Sequence, residues 1–135
     1  MESDRIPTAH APLDERHCRR LLAGSSVGRV VYTVGALPAV LPVRYRLGRD
    51  GSVLLSAAAR SELARAVSGA LVAFEAGEVD EADGAGWSVT VLGRADVSPD
   101  GPPPDARPAD ARPGRVSIRI RPELVTGRLL PDTPR

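Results

Sequence analysis

At residues 59–62, Ala59-Arg60-Ser61-Glu62, the chain brings a guanidinium, a hydroxyl and the N–H groups of a helix start to one point. Donors of these kinds, placed where a strand gives way to a helix, suit a phosphate group. The segment leading there, residues 37–58, opens as an apolar run broken by Pro38 and Pro42. It then alternates through Val43, Tyr45 and Leu47, turns at Asp50-Gly51 and resumes at residues 52–56. An Asp-Gly pair between two β-rich runs predicts a hairpin with a type I′ turn, whose two central residues both need positive φ. Pro38 and Pro42 have no N–H to donate, so their strand is expected at a sheet edge or bulged near its start.

Other chemistries lack their residues. No glycine-rich dinucleotide fingerprint follows a strand, and there is no P-loop, no Ser-His-Asp set and no paired catalytic carboxylates in motif context. The only histidines are His10, in an N-terminal arm, and His17, in a helix, which is no zinc set. The acidic run Glu75, Glu78, Asp80, Glu81, Asp83 lacks the alternating spacing and distal glutamate of a calcium loop and reads as solvated. Cys18 stands alone, which excludes an internal disulfide, and its spacing to Leu21 and Leu22 makes it a small core residue.

The elements that must position the phosphate corner can be taken in order. Residues 1–11 read as a loose arm. A helix starts near Asp14, its N-cap, with Leu13 stapled onto Cys18, and ends at Gly24-Ser25-Ser26. Residues 27–34 are β-branched and strand-like, and Gly35 begins a turn to Leu37. Residues 61–68 form a short amphipathic helix closed by Gly69. Residues 71–75 are a strand, 78–85 an exposed loop, and 86–97 the longest strand, with Trp87, Val89 and Val91 on one face and a bulge or bend expected at Gly93. Residues 98–114 (SPDGPPPDARPADARPG) have no apolar periodicity and read as a flexible excursion. Residues 115–121 alternate as a half-buried strand, a turn is expected at residues 122–124, and residues 125–130 form a last short strand. The sum is a mainly β (α+β) domain over residues 1–135, a six-stranded antiparallel barrel with short flanking helices.

Composition narrows the partners. At 135 residues the chain suits a single core. All 18 basic residues are arginine, the net charge is only +1 and the arginines are scattered, so the footprint of a nucleic-acid binder is missing. Aromatics, at 3%, are too few for a base-stacking platform. No window is long and apolar enough to span a bilayer and no charged-then-apolar leader opens the chain, so a cytoplasmic protein with no membrane partner is expected.

An ordered set of short pieces carries a family resemblance. Val27-Gly28-Arg29, Pro42-Val43-Arg44-Tyr45, Val72-Ala73-Phe74-Glu75, Gly86-Trp87-Ser88-Val89, Gly93-Arg94-Ala95 and Ile120-Arg121-Pro122 with Val125-Thr126-Gly127-Arg128 occur in the order seen in pyridoxamine 5′-phosphate oxidase-like split-barrel flavoproteins. The chain most resembles their small nitroimidazole-resistance-type branch. The resemblance implies a split barrel, a homodimer with flavin at its interface, FMN as cofactor and a flavin-dependent oxidoreductase activity. Carried over, Pro42, Val43, Arg44 and Tyr45 line the isoalloxazine ring, Ser56 ends the next strand, and Arg60 with Ser61 meets the phosphate. Trp87 is expected in the core or a dimer interface, and Arg94, Arg119 and Arg128 on solvated faces, one of them within reach of a neighbouring subunit's cofactor. The chain departs from the family pattern at Glu62, where lysine is usual, at Arg44 and Arg60, which replace a frequent Asn and Gly, and at Ala76-Gly77, where Val-Asp is usual. Glu62 supports one alternative, a non-catalytic binding or sensor barrel that has lost the flavin site and holds no cofactor. A deazaflavin-dependent reductase, with arginines meeting a longer anionic tail, is another. No catalytic side chain is assigned, because the flavin itself carries the electrons.

Overall fold

A computed structural model describes residues 11–99 and 114–130. Of the arm expected at residues 1–11, residues 1–10 lie outside the described residues and Ala11 opens a strand. Of the excursion expected at residues 98–114, residues 100–113 lie outside them, while Ser98 and Pro99 belong to a strand. The elements run β1 (Ala11–Pro12), α1 (Glu15–Ala23), β2 (Val27–Val34), β3 (Leu37–Arg44), β4 (Arg46–Leu47), β5 (Val53–Ala58), α2 (Glu62–Val67), β6 (Leu71–Val79), β7 (Gly86–Pro99) and β8 (Arg115–Leu130). All strands join one curled antiparallel sheet in the order β3-β2-β6-β7-β8-β5-β4, with β1 paired to β8. This is the split barrel the sequence implies. Among the described residues there are six long strands, and the dipeptide strands β1 and β4 make eight.

The helices follow their local signals. Asp14 caps α1 by accepting the His17 N–H at 2.8 Å, and Cys18 and Leu22 turn into the core. Ser61 caps α2, its hydroxyl accepting the Ala64 N–H at 3.1 Å, and Leu63, Ala64 and Val67 are buried. Phe74, Ile118, Ile120, Val30, Val89 and Val91 fill the barrel, each from the inward-facing parity of its strand.

Two turns differ from expectation. Asp50-Gly51 is not a type I′ turn, because Gly51 has φ +84° while Asp50 keeps negative φ. The Gly51 N–H donates to the Gly48 carbonyl at 3.0 Å, the Gly48 N–H to the Ser52 carbonyl at 2.8 Å, and the Asp50 carboxylate accepts the Ser52 N–H at 3.0 Å. The loop is thus Arg49-Asp50-Gly51, a tight turn with a left-handed glycine at its end. The two-residue turn with positive φ at both centres lies one hairpin earlier, at Gly35 (φ +53°) and Ala36 (φ +71°), where Val34 pairs with Leu37. Gly-Ala is a weak sequence signal for it, since alanine is disfavoured in the left-handed region.

β3 is an edge strand, as its prolines predict. Counting from the two-residue turn, Leu37, Ala39, Leu41 and Val43 direct their N–H groups to β2. Pro38, Val40 and Pro42 fall on the free edge. Both prolines therefore cost the sheet no hydrogen bond and leave little for another strand to add to.

The far end of the chain also differs. The residues expected as two strands with a turn at 122–124 form one strand, β8, which at 16 residues exceeds the 14 of β7. Pairing runs Gly93↔Pro122 then Leu92↔Leu124, so Glu123 is the extra residue of a bulge opposite Leu92 and Gly93. The bulge absorbs Pro122 without ending the strand.

Candidate functional site

β5 lies between β4 and β8, with Ser56 opposite Ser117 and Leu54 opposite both Arg46 and Arg119. Inward positions Val53, Leu55 and Ala57 hold β5 in the core, and this leaves Leu54 and Ser56 on the outer face. Beside them β3 ends at Arg44, and the chain crosses through Tyr45 into β4. These pieces enclose an open cleft of about 240 Å³ lined by Arg44, Tyr45, Arg46, Leu54, Leu55, Ser56 and Ser117. Arg115, next but one to Ser117 on the same face of β8, donates from Nε to the Ser56 hydroxyl at 3.2 Å. Among the described residues no carboxylate lines the cleft.

Of the residues the sequence singled out, the cleft unites Arg44, Tyr45 and Ser56. Pro42 is exposed on the β3 edge, and Val43 packs against the core from the inner face. Arg60 is exposed in the turn before α2, where the Ser61 N–H donates to the Ala58 carbonyl at 3.0 Å. The Ser61 hydroxyl is engaged as the helix cap. Neither Arg60 nor Ser61 lines the cleft.

Tyr45 contributes to the wall from beneath. It is buried, its hydroxyl donates to the Leu22 carbonyl at the end of α1, and its ring meets Phe74 edge-on at a centroid distance of 4.7 Å. Burial pushes its phenol pKa up, against a smaller opposing effect of Ser25. Glu62 faces elsewhere. It lines a separate hollow with Thr33, Val34, Gly35 and Arg65, beside the β2–β3 turn. The buried Tyr32 phenol is pushed up first by burial and then by the charge and hydrogen bonding of Glu62.

The sequence reading missed Arg46, Leu54, Ser117 and Arg115. Their signal was the alternation of Arg115 and Ser117 against Val116 and Ile118, which fixes a face but names no neighbour. Elsewhere on the outer surface, Glu75 accepts from Arg29 and from Ser88, each at 3.2 Å, and Trp87 is half-buried against the core. Among the described residues no group of His, Cys, Asp and Glu side chains is disposed to hold a metal ion. The acidic residues at the β6–β7 turn cap backbone instead, Asp80 accepting the Ala82 N–H and Asp83 the Ala85 N–H. Among the described residues no helix is long and apolar enough to cross a membrane.

A curled antiparallel sheet with this order and a cleft outside its β4–β5–β8 wall can be set against known families. The family model described as pyridoxamine 5′-phosphate oxidase matches residues 14–129. The chain belongs to the pyridoxamine 5′-phosphate oxidase family. Within reach of this family in sequence is an uncharacterized protein of Mycobacterium tuberculosis, Rv0080, 43% identical over 91 residues. That match takes in 62% of this chain and 57% of the relative, so the chain spans little more than half of the relative's length. Among solved structures, the FAD binding protein from Mycobacterium smegmatis superposes with a TM-score of 0.72 at 28% identity, covering 91% of this chain and all of the other. A putative pyridoxamine 5′-phosphate oxidase from Corynebacterium glutamicum gives 0.67 at 23% identity, covering 97% and 100%, which supports the pyridoxamine 5′-phosphate oxidase fold alone.

Proposed function

We propose that this chain binds a flavin nucleotide in the cleft outside β4, β5 and β8 and works as a flavin-dependent oxidoreductase. The observation that carries the reading is the cleft's composition. Guanidinium groups stand at its margins, the Ser56 and Ser117 hydroxyls lie within it, and among the described residues no carboxylate opposes an anion there. FMN is the form the family resemblance implies, and the related M. smegmatis structure is an FAD binding protein. A bound flavin supplies the electron transfer. The chain's part is to bind and orient it. Arg44 and Arg46 offer charge to the phosphate end, Ser56 is held in place by Arg115, and the buried Tyr45 fixes the β3–β4 crossing against Leu22.

The same reading includes a homodimer. Pockets that bury most of a ligand usually enclose about 300–1,000 Å³, and this open cleft encloses about 240 Å³. A second copy would complete it. The surface offered is a row on the outer face, Val40, Val31, Ala73, Leu92 and Leu124, each paired in register with the next across five strands. Val40 is 59% and Leu124 53% exposed. Since the prolines blunt the β3 edge, association through this face is favoured over strand addition.

The test is direct. Purified protein is incubated with FMN or FAD, freed of unbound ligand by gel filtration, and its visible spectrum recorded. Retained flavin absorbance is expected, and Arg44→Glu should weaken binding by about tenfold or more, as expected for reversing a charge–phosphate contact. Colourless protein after both incubations sinks the reading in favour of a non-catalytic barrel. Retention of a deazaflavin alone, which absorbs at shorter wavelength, would shift it to a deazaflavin-dependent reductase.

A further inference from the structure

The guanidinium groups around the cleft are not equivalent. On the outer face of β8, Arg119 is neutralised by Asp50 at 3.1 Å and Arg121 by Asp96 at 2.7 Å. Arg115, on the same face, donates to the uncharged Ser56 hydroxyl, and among the described residues no carboxylate pairs with it. Among the described residues no carboxylate pairs with Arg44 or Arg46 either. Among the described residues, three guanidinium groups without a carboxylate partner therefore border the cleft. Arg44 and Arg46 stand at its β3–β4 side and Arg115 at its β8 side, with Ser56 and Ser117 between them.

The corner before α2, by contrast, has two of its backbone donors engaged, and the oxygen of its hydroxyl already accepts a bond. The Ala59 N–H donates to the Gly114 carbonyl at 2.8 Å, the Ser61 N–H to Ala58, and the Ser61 hydroxyl is engaged by Ala64. A compact terminal phosphate, carrying up to two charges on one phosphorus, is best held by donors that converge on one point. Cations on opposite sides of a cleft instead suit an anion whose charge is divided between two centres. A diphosphate bridge carries the same total charge as a terminal phosphate, one unit on each phosphorus.

We infer that Arg46 and Arg115 are specificity-determining residues that select a diphosphate-bridged flavin dinucleotide over the mononucleotide. The inference rests on the flavin reading above and adds which tail the site prefers and which side chains choose it. Arg44 serves any phosphate at the near side. Arg46 extends that side along β4, and Arg115 supplies the far centre while its Nε holds Ser56 in place.

Affinities for riboflavin, FMN and FAD are measured by calorimetry at low and at near-physiological salt, with orthophosphate and pyrophosphate as competitors at matched ionic strength. The parent is expected to bind FAD about tenfold or more tightly than FMN, and pyrophosphate to displace FAD at lower concentration than orthophosphate. Arg46→Ala and Arg115→Gln, the second keeping a donor for Ser56 without the charge, should each reduce the FAD-to-FMN preference at least threefold and leave riboflavin affinity unchanged. Both side chains are on the surface, and an unchanged melting temperature verifies each fold. FMN bound as tightly as FAD, or a parental preference in either variant, overturns the inference and leaves the flavin reading standing. Failure of all three flavins to bind overturns both.

Discussion

The hydroxyl of Tyr45 donates to the carbonyl of Leu22, tying the crossing from β3 to β4 to the last turn of α1. A residue that sequence order places along a cofactor ring thus spends its polar atom inside the core and shapes the cleft from behind. The Leu22 carbonyl also accepts the Ser25 N–H at 3.2 Å, so removing the phenol leaves it one donor. Tyr45→Phe should cost about 1 kcal/mol, the scale of one hydrogen bond whose partner is not orphaned, and should preserve the edge contact with Phe74. Chemical denaturation checks this. A loss above about 3 kcal/mol would mean the phenol holds more than one carbonyl.

Ala36 occupies the left-handed region at φ +71° within the two-residue β2–β3 turn. An L-residue with a Cβ is disfavoured there by about 1–2 kcal/mol, a penalty glycine avoids at some cost in unfolded-state entropy. Ala36→Gly should raise stability by up to about 1 kcal/mol and the melting temperature by several degrees. A lower melting temperature would contradict this turn geometry.

Glu62 lines the hollow beside the β2–β3 turn and bears on Tyr32, away from the cleft. Glu62→Lys is therefore expected to change flavin affinity by no more than about twofold at physiological salt, where charges beyond roughly 8 Å are screened. Glu62→Gln should lower the pH at which Tyr32 ionises, followed by phenolate absorbance, because the Glu62 charge, one of the influences raising it, is removed. Tightening of FMN by tenfold in Glu62→Lys would place the phosphate at α2 after all.

The Asp50 carboxyl is held below the usual aspartate range, chiefly by hydrogen bonds from Ser52 and secondarily by Arg119. A depressed folded-state pKa contributes stability that is present above the unfolded value, about 3.9, and is lost as pH falls through the folded one. The stability gap between parent and Asp50→Ala should accordingly be constant from pH 7 to about 5 and close below about 4. A gap that persists unchanged at pH 2 would show that turn geometry, not the ionised carboxylate, accounts for it.

The outer row from Val40 to Leu124 is the expected dimer face. Light scattering at micromolar concentration should give twice the monomer mass, and the double variant Val40→Arg, Leu124→Arg should give monomers with an intact β-sheet spectrum. A monomeric parent removes the second-copy argument for completing the cleft. A double variant that remains dimeric moves the interface elsewhere.

Local signals in the chain determined much of the architecture. Asp14 and Ser61 cap their helices, Gly69 ends α2, the parity of residues 86–97 separates inside from outside, and two prolines mark an edge strand, because each depends on a residue's own backbone and near neighbours. The order of family pieces likewise carried the split barrel. Tertiary structure alone decided which residues share the cleft. Ser56 and Ser117 stand opposite each other across a 61-residue separation, and nothing local to either names the other. Tertiary packing also moved the type I′ turn to Gly35-Ala36, since the register of two twisted strands chooses turn geometry more strongly than the preference of one alanine. It likewise carried β8 past Pro122, because β7 supplies a continuous partner and a bulge at Glu123 absorbs the missing donor. The roles of Arg46 and Arg115 emerge only there as well, since a guanidinium's availability depends on which carboxylates the fold sets beside it.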